Sequence, residues 1–165
     1  LYRFDLLTER LAPVLDEHWI QTQGAHATIQ TFALVGSGDH VLVAVQPELN
    51  DNRVELWRAR TDVRNSAVRL ISDMPGYPQL ASFDRDHAVM VSWVAGEARV
   101  SEIAIASGQI RALNADGADF APILTVTDLG ILLSDRREHG WFISRANGVP
   151  PREILGGSPD SWIHA

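Results

Sequence analysis

With 165 residues, 45% of them apolar and 21% charged, the chain has material for a sizeable core and the composition of a soluble globular protein rather than a disordered one. A net charge of −7 disfavours nucleic acid, whose phosphates need a clustered positive surface; the only basic pair, Arg136-Arg137, is flanked by Asp135 and Glu138 as at a solvated hairpin tip. No apolar run approaches the ~20 residues of a membrane helix, and zero cysteines exclude disulfide and thiolate chemistry without choosing a compartment.

Leu1 to Leu6 (LYRFDL) reads as one strand and Arg10 to Leu15 as the next, and together they match the last two strands of a repeat that is complete further along. Residues 1–15 are therefore expected to be half a unit. The cycle starts at its third strand and without an initiator Met, as expected of part of a longer polypeptide. Asp16 to Thr28 (DEHWIQTQGAHAT) is an irregular insertion with sparse helical signal. Loops of this length in compact folds often carry function. His18, Trp19 and His26 within it are candidate contact residues, together with Trp162 near the other end.

From Ile29 onward a pattern recurs about every forty residues, in copies running Ile29 to Ile71, Leu80 to Leu113 and Pro122 to Leu155. The copies align on inner strands His40 to Gln46 (HVLVAVQ), His87 to Trp93 (HAVMVSW) and Leu129 to Ser134 (LGILLS). Such nearly continuous apolar runs suit strands buried on both faces. The third strands, Arg53 to Arg60, Ala98 to Ala106 and Gly140 to Arg145, alternate more plainly, which predicts one wetter face. Ser107-Gly108 and Asn147-Gly148 supply residues tolerant of positive φ for two-residue hairpins, and short fourth strands follow at Gln109 to Leu113 and Arg152 to Leu155. The pattern predicts an all-β fold: a β-propeller segment of about three and a half four-stranded antiparallel blades from a larger propeller. The expected boundaries are 1–15 for the half blade, 29–74, 79–114 and 120–156 for whole blades, and 157–165 for the start of the next. A two-sheet sandwich is the alternative that regularly spaced strands also allow.

Chemistry-bearing motifs are few. His18 and His26 stand eight apart with no carboxylate or Cys completing a metal set. The Asp51-Asn52 and Asp84-Arg85-Asp86 tips lack the offsets and closing Glu of a calcium loop, and read as turns in which Asp and Asn satisfy local amides. Gly36-Ser37-Gly38-Asp39 and Gly157-Ser158-Pro159-Asp160 are not Gly-x-Ser-x-Gly nucleophile elbows. No catalytic residue, metal ligand or cofactor is therefore assigned. Trp57, Trp93 and Trp141 sit in strands and are expected to pack between blades.

Tyr2-Arg3-Phe4-Asp5-Leu6 followed by Glu9-Arg10-Leu11, and Ile103-Ala104-Ile105-Ala106-Ser107-Gly108 followed by Ile110-Arg111-Ala112-Leu113, resemble the blade ends of TolB-like propellers and of the N-terminal propellers of the prolyl oligopeptidase family of serine peptidases. Asp116-Gly117-Ala118-Asp119-Phe120-Ala121-Pro122 is similar to the entry into a following blade there. Ser82-Phe83-Asp84-Arg85-Asp86-His87 takes the place of their Ser-Pro-Asp-Gly turn, with Pro and Gly replaced. The resemblance implies partners: the remaining blades, an α/β-hydrolase domain bearing a Ser-Asp-His triad, and a peptide substrate whose entry the propeller restricts. It implies no cofactor. The other reading it leaves open is a non-catalytic TolB-like propeller that binds protein partners.

Overall fold

The computed structural model describes the chain apart from residues 25, 50–52, 76–77, 95–96, 114–119, 128, 136–139, 145–148, 150–151 and 156–165. The Asp51-Asn52, Arg136-Arg137 and Asn147-Gly148 turns, the segment opening at Asp116, the Gly157-Ser158 turn and Trp162 thus lie outside the described residues.

The chain is all-β. Strands β1 (Tyr2–Asp5) and β2 (Arg10–Pro13) form a hairpin, followed by a short helix α1 (Glu17–Gln21). Three four-stranded sheets come next. The first comprises β3 (Thr28–Val35), β4 (His40–Gln46), β5 (Arg53–Arg60) and β6 (Val68–Pro75). The second holds β7 (Gln79–Ser82), β8 (His87–Val94), β9 (Glu97–Ala104) and β10 (Ile110–Ala112). The third holds β11 (Phe120–Thr127), β12 (Gly130–Asp135), β13 (Gly140–Ser144) and β14 (Arg152–Leu155). Every sheet keeps its strands in sequence order and every neighbouring pair is antiparallel, which is the meander of a propeller blade.

The sheets stack in series rather than facing each other as a pair. First strands lie side by side, β3 against β7 and β7 against β11. The continuous apolar runs have a direct cause in this arrangement. In β4, Leu42 and Ala44 enter the core shared with the second sheet, alongside Met90 and Ile103, while Val41, Val43 and Val45 enter a different core with Val14, Leu15 and Trp19. In β8, Ala88 and Met90 join the first of these cores, and Val89 and Val91 join a third with Ile131 and Ile143. Strands β4 and β8 are thus buried on both faces, where alternation gives no advantage.

Strand β5 keeps the wetter face that its alternation predicts, whereas β9 is drier. Ser101 and Glu102 of β9 are buried along with Val100 and Ile103. A buried carboxylate persists only when paired, and Glu102 is held by Arg111. Trp93 and Trp141 lie half-buried against the core between the second and third sheets, and Trp57 against the core on the other side of β4.

Two local readings are corrected. The Ser107-Gly108 turn is longer than a two-residue hairpin: Gly108 N–H donates to the Ala104 carbonyl at 2.8 Å and Ala104 N–H to the Gln109 carbonyl at 2.9 Å. Gly108 still needs its positive φ of 72°, which the wider loop also demands. The segment from Asp16 is not wholly irregular, because its Glu17–Gln21 portion is helical, with Asp16 as N-cap accepting from Trp19 N–H at 2.8 Å.

Candidate functional site

In a meander the turns joining strands one to two and three to four lie at the same end of the sheet. The 36–39, 61–67, 83–86 and 105–109 turns therefore gather at one end of the stack. Backbone and side-chain bonds lock them together. Thr61 N–H donates to the Asp39 carbonyl at 2.9 Å and its hydroxyl to the Gly38 carbonyl at 2.7 Å. Ile105 N–H donates to the Asp86 carbonyl at 2.8 Å. From the neighbouring sheet, Arg58 Nη1 donates to the carbonyls of Ile105 at 2.6 Å and Ala106 at 2.7 Å.

Two polar features occupy this end. One is a cleft of about 430 Å³ lined by Arg3, Asp39, His40, Arg60, Thr61 and Asp62. Arg60 grips Asp62 through Nε at 2.9 Å and Nη2 at 2.7 Å. That fork holds the Asp62 carboxyl below the usual aspartate range, and Asp62 in turn raises the Arg60 guanidinium. The other feature is a cluster on the second sheet. Asp84 Oδ1 accepts N–H bonds from Asp86 at 2.7 Å and His87 at 2.8 Å, the local amide satisfaction that the Asp84-Arg85-Asp86 tip predicts. The His87 imidazole Nδ1 lies 3.1 Å from the same oxygen and 4.0 Å from Glu102 Oε1, and Arg111 closes the group on Glu102 Oε2. Imidazole, two carboxylates and a guanidinium in alternating order fix the 83–86 turn to strands β9 and β10.

The residues singled out in the sequence are not brought together. His18 and His26 are exposed. Trp19 lies between them in sequence but is 9% exposed, packed among Val14, Leu15 and the valines of β4, with its ring perpendicular to Trp57 at 5.2 Å. Trp57 Nε1 donates to Glu55 at 3.0 Å, and Arg69, paired with Glu55 at 2.9 Å, stacks its guanidinium over the Trp57 ring at 5.6 Å. Trp19 is thus an internal anchor of α1 rather than a surface presented to a partner. Trp162 lies outside the described residues. The loop after α1 is fixed where Gly24 meets the Pro47 carbonyl, since a Cβ there would come within 2.4 Å of that oxygen. Asp16 ties the start of α1 to the 61–67 turn, accepting from Arg64 Nε at 2.9 Å and Asn65 Nδ2 at 3.0 Å. The Trp19 N–H first, and then Arg64 and Asn65, hold its carboxyl far below the usual aspartate range.

Among the described residues no group of three His, Asp or Glu side chains is set to hold a metal ion, and no helix is long and apolar enough to cross a membrane. The Asp84–His87–Glu102–Arg111 cluster was not legible in the sequence. Its members come from three strands and a turn, and only the strand register, which pairs His87 with Ala104 and Arg111 with Glu102, brings them together. No protein-family model matches the chain, and no curated protein matches it.

Proposed function

We propose that this chain is the propeller portion of a prolyl oligopeptidase-type serine peptidase, restricting and positioning peptide substrates over a hydrolase active site carried elsewhere in the same protein. The observation that supports this reading is the serial stack of four-stranded meanders, the first two of which have their turns bonded together at one end. A wall of that kind works by size exclusion: short or threaded peptides pass, folded ones do not, and a peptide held near a nucleophile gains the rate advantage of a fixed approach. The polar cleft at Arg60 and Asp62 offers charges of both signs for gripping a passing backbone or its side chains.

Two measurements test the reading. The 165-residue chain alone is expected to hydrolyse no peptide or ester substrate, whereas the full polypeptide is expected to cleave short peptides and spare folded proteins of the same sequence content. A coding sequence that continues only with further blades to a stop codon would replace the peptidase with a propeller that binds protein partners.

A further inference from the structure

We propose that the polar cleft between β1 and the 36–39 and 61–67 turns binds a short peptide by its free termini, the carboxylate on Arg3 and the ammonium on Asp39. The inference stands on the cleft alone, and failure of the peptidase reading would leave it unchanged.

Of the four charges in the cleft, two are spent on each other and two are not. Arg60 closes on Asp62 through Nε and Nη2, one to each carboxylate oxygen, so the pair offers a ligand little net charge. Arg3 and Asp39 are left over. Among the described residues neither the Arg3 guanidinium nor the Asp39 carboxylate makes a hydrogen bond or an ion pair. They do act at longer range: Arg3 helps to draw the Asp62 carboxyl down, and Asp39 helps to raise the Arg60 guanidinium. The two open charges therefore flank the closed fork, Arg3 on the side of Asp62 and Asp39 on the side of Arg60. The other acidic neighbour of Arg3 is Asp5, whose Oδ1 is taken by the amides of Leu7 and Thr8.

This pattern selects its ligand by charge. An anion alone meets Asp39 and a cation alone meets Arg3, whereas a molecule with both signs satisfies both at once. Because a whole ion pair stands between the open charges, those of the ligand must lie further apart than on the single carbon of a free amino acid. A peptide of two or three residues with free ends meets that requirement. The cleft volume of about 430 Å³ falls in the range of about 300–1,000 Å³ usual for small-ligand sites.

The backbone that carries Asp39 is set in advance. Thr61 holds the Asp39 carbonyl through its N–H and the Gly38 carbonyl through its hydroxyl, and Gly38, at a φ of 88°, has nothing within 4 Å of where a Cβ would stand. His40, opposite Arg60 in the β4–β5 ladder, is the remaining titratable group lining the cleft. Preorganisation lowers the cost of binding. Solvent works against it: the Arg60 and Asp62 side chains are more than half exposed, so the affinity expected is a dissociation constant of about 1–10 mM.

The test is a titration of the 165-residue chain with triglycine, glycine, acetate and methylammonium at low ionic strength, followed by the amide resonances of Gly38, Asp39 and Thr61. Triglycine is expected to give saturable shifts and to bind at least about fivefold more tightly than each of the others. Absence of saturation would overturn the site, acetate or methylammonium binding as tightly as triglycine would overturn the need for both charges, and glycine doing so would overturn the separation between them. Two variants divide the roles. Arg3→Gln is expected to weaken triglycine about fivefold or more while methylammonium binds as well or better, and Asp39→Asn to weaken triglycine similarly while acetate binds better. Both side chains are exposed, so neither change removes core packing. Variants that weaken all four probes alike would overturn the assignment of the termini, since loss of cleft shape alone cannot shift preference in opposite directions.

Discussion

Strands β5 and β1 stand at the same step of the repeat, yet β5 buries Val54, Leu56 and Ala59 while β1 leaves Tyr2 and Phe4 more than half exposed. Both carry the alternating apolar residues of a third strand. The contrast shows that burial is conferred by the neighbouring elements and not by the strand's own sequence: β5 has the second sheet against one face and Val14, Leu15 and Trp19 against the other, whereas no residue of β1 is buried. Propeller blades behave in this respect as units of a quasi-one-dimensional array, each stabilised largely by its interfaces.

Substitutions can test the contrast directly. Leu56→Ala empties a fully buried site between two sheets and is expected to lower the unfolding free energy by about 2–5 kcal/mol in urea titration, while Phe4→Ala is expected to change it by less than about 0.5 kcal/mol. Equal losses at the two sites would mean that the hairpin packs as tightly as a blade. Next in size is Glu102→Ala, which strands Arg111 and His87 beside a vacated site and is expected to cost about 1–3 kcal/mol; adding Arg111→Ala on that background should cost little more, because the two share one interaction.

The pH profile separates the junction of α1 from both. Asp16 has its folded carboxyl value depressed by the Trp19 N–H, Arg64 and Asn65, so its contribution is fully present above the unfolded aspartate value of about 3.9 and fades as pH falls toward the folded value. Asp16→Ala is expected to lower the melting temperature by a few degrees at neutral pH and by progressively less in strong acid. A gap that stays constant down to the most acidic condition would remove the carboxylate from the account. The smallest effect belongs to Leu7→Ser at the tip of the β1–β2 hairpin, where a side chain 97% exposed has almost nothing to lose; its unfolding curve is expected to overlay that of the parent.

Much of this architecture was readable from residues. The strand His40–Gln46 falls where its apolar run places it, because burial on both faces writes itself as an unbroken run, and Arg53–Arg60 and Arg152–Leu155 fall at the bounds read for a third and a fourth strand. Helix α1 was missed because five residues are too few for a period to emerge; the legible signal was Asp16 as a cap with Glu17 in the first turn. Missing it also misplaced Trp19, which an irregular loop would present and a capped helix turns inward. The bulge at Ile29 and Thr31 has no mark in the alternation of Thr28–Val35, yet it decides which core Ile29 joins and which face Phe32 occupies. The Glu102 cluster depends on register across separate strands, information that no local window contains.

Arg58 carries a mechanical consequence. Its single guanidinium reaches from β5 to two carbonyls of the next sheet's turn, away from the β3–β7 contact where first strands meet. Two attachment points, one near the hub and one further out, determine an angle where one alone would leave a pivot. Adjacent vanes are thereby pinned against splaying, and loss of this arginine would act as a loosened spoke: a change in pitch between sheets whose interiors remain as they were.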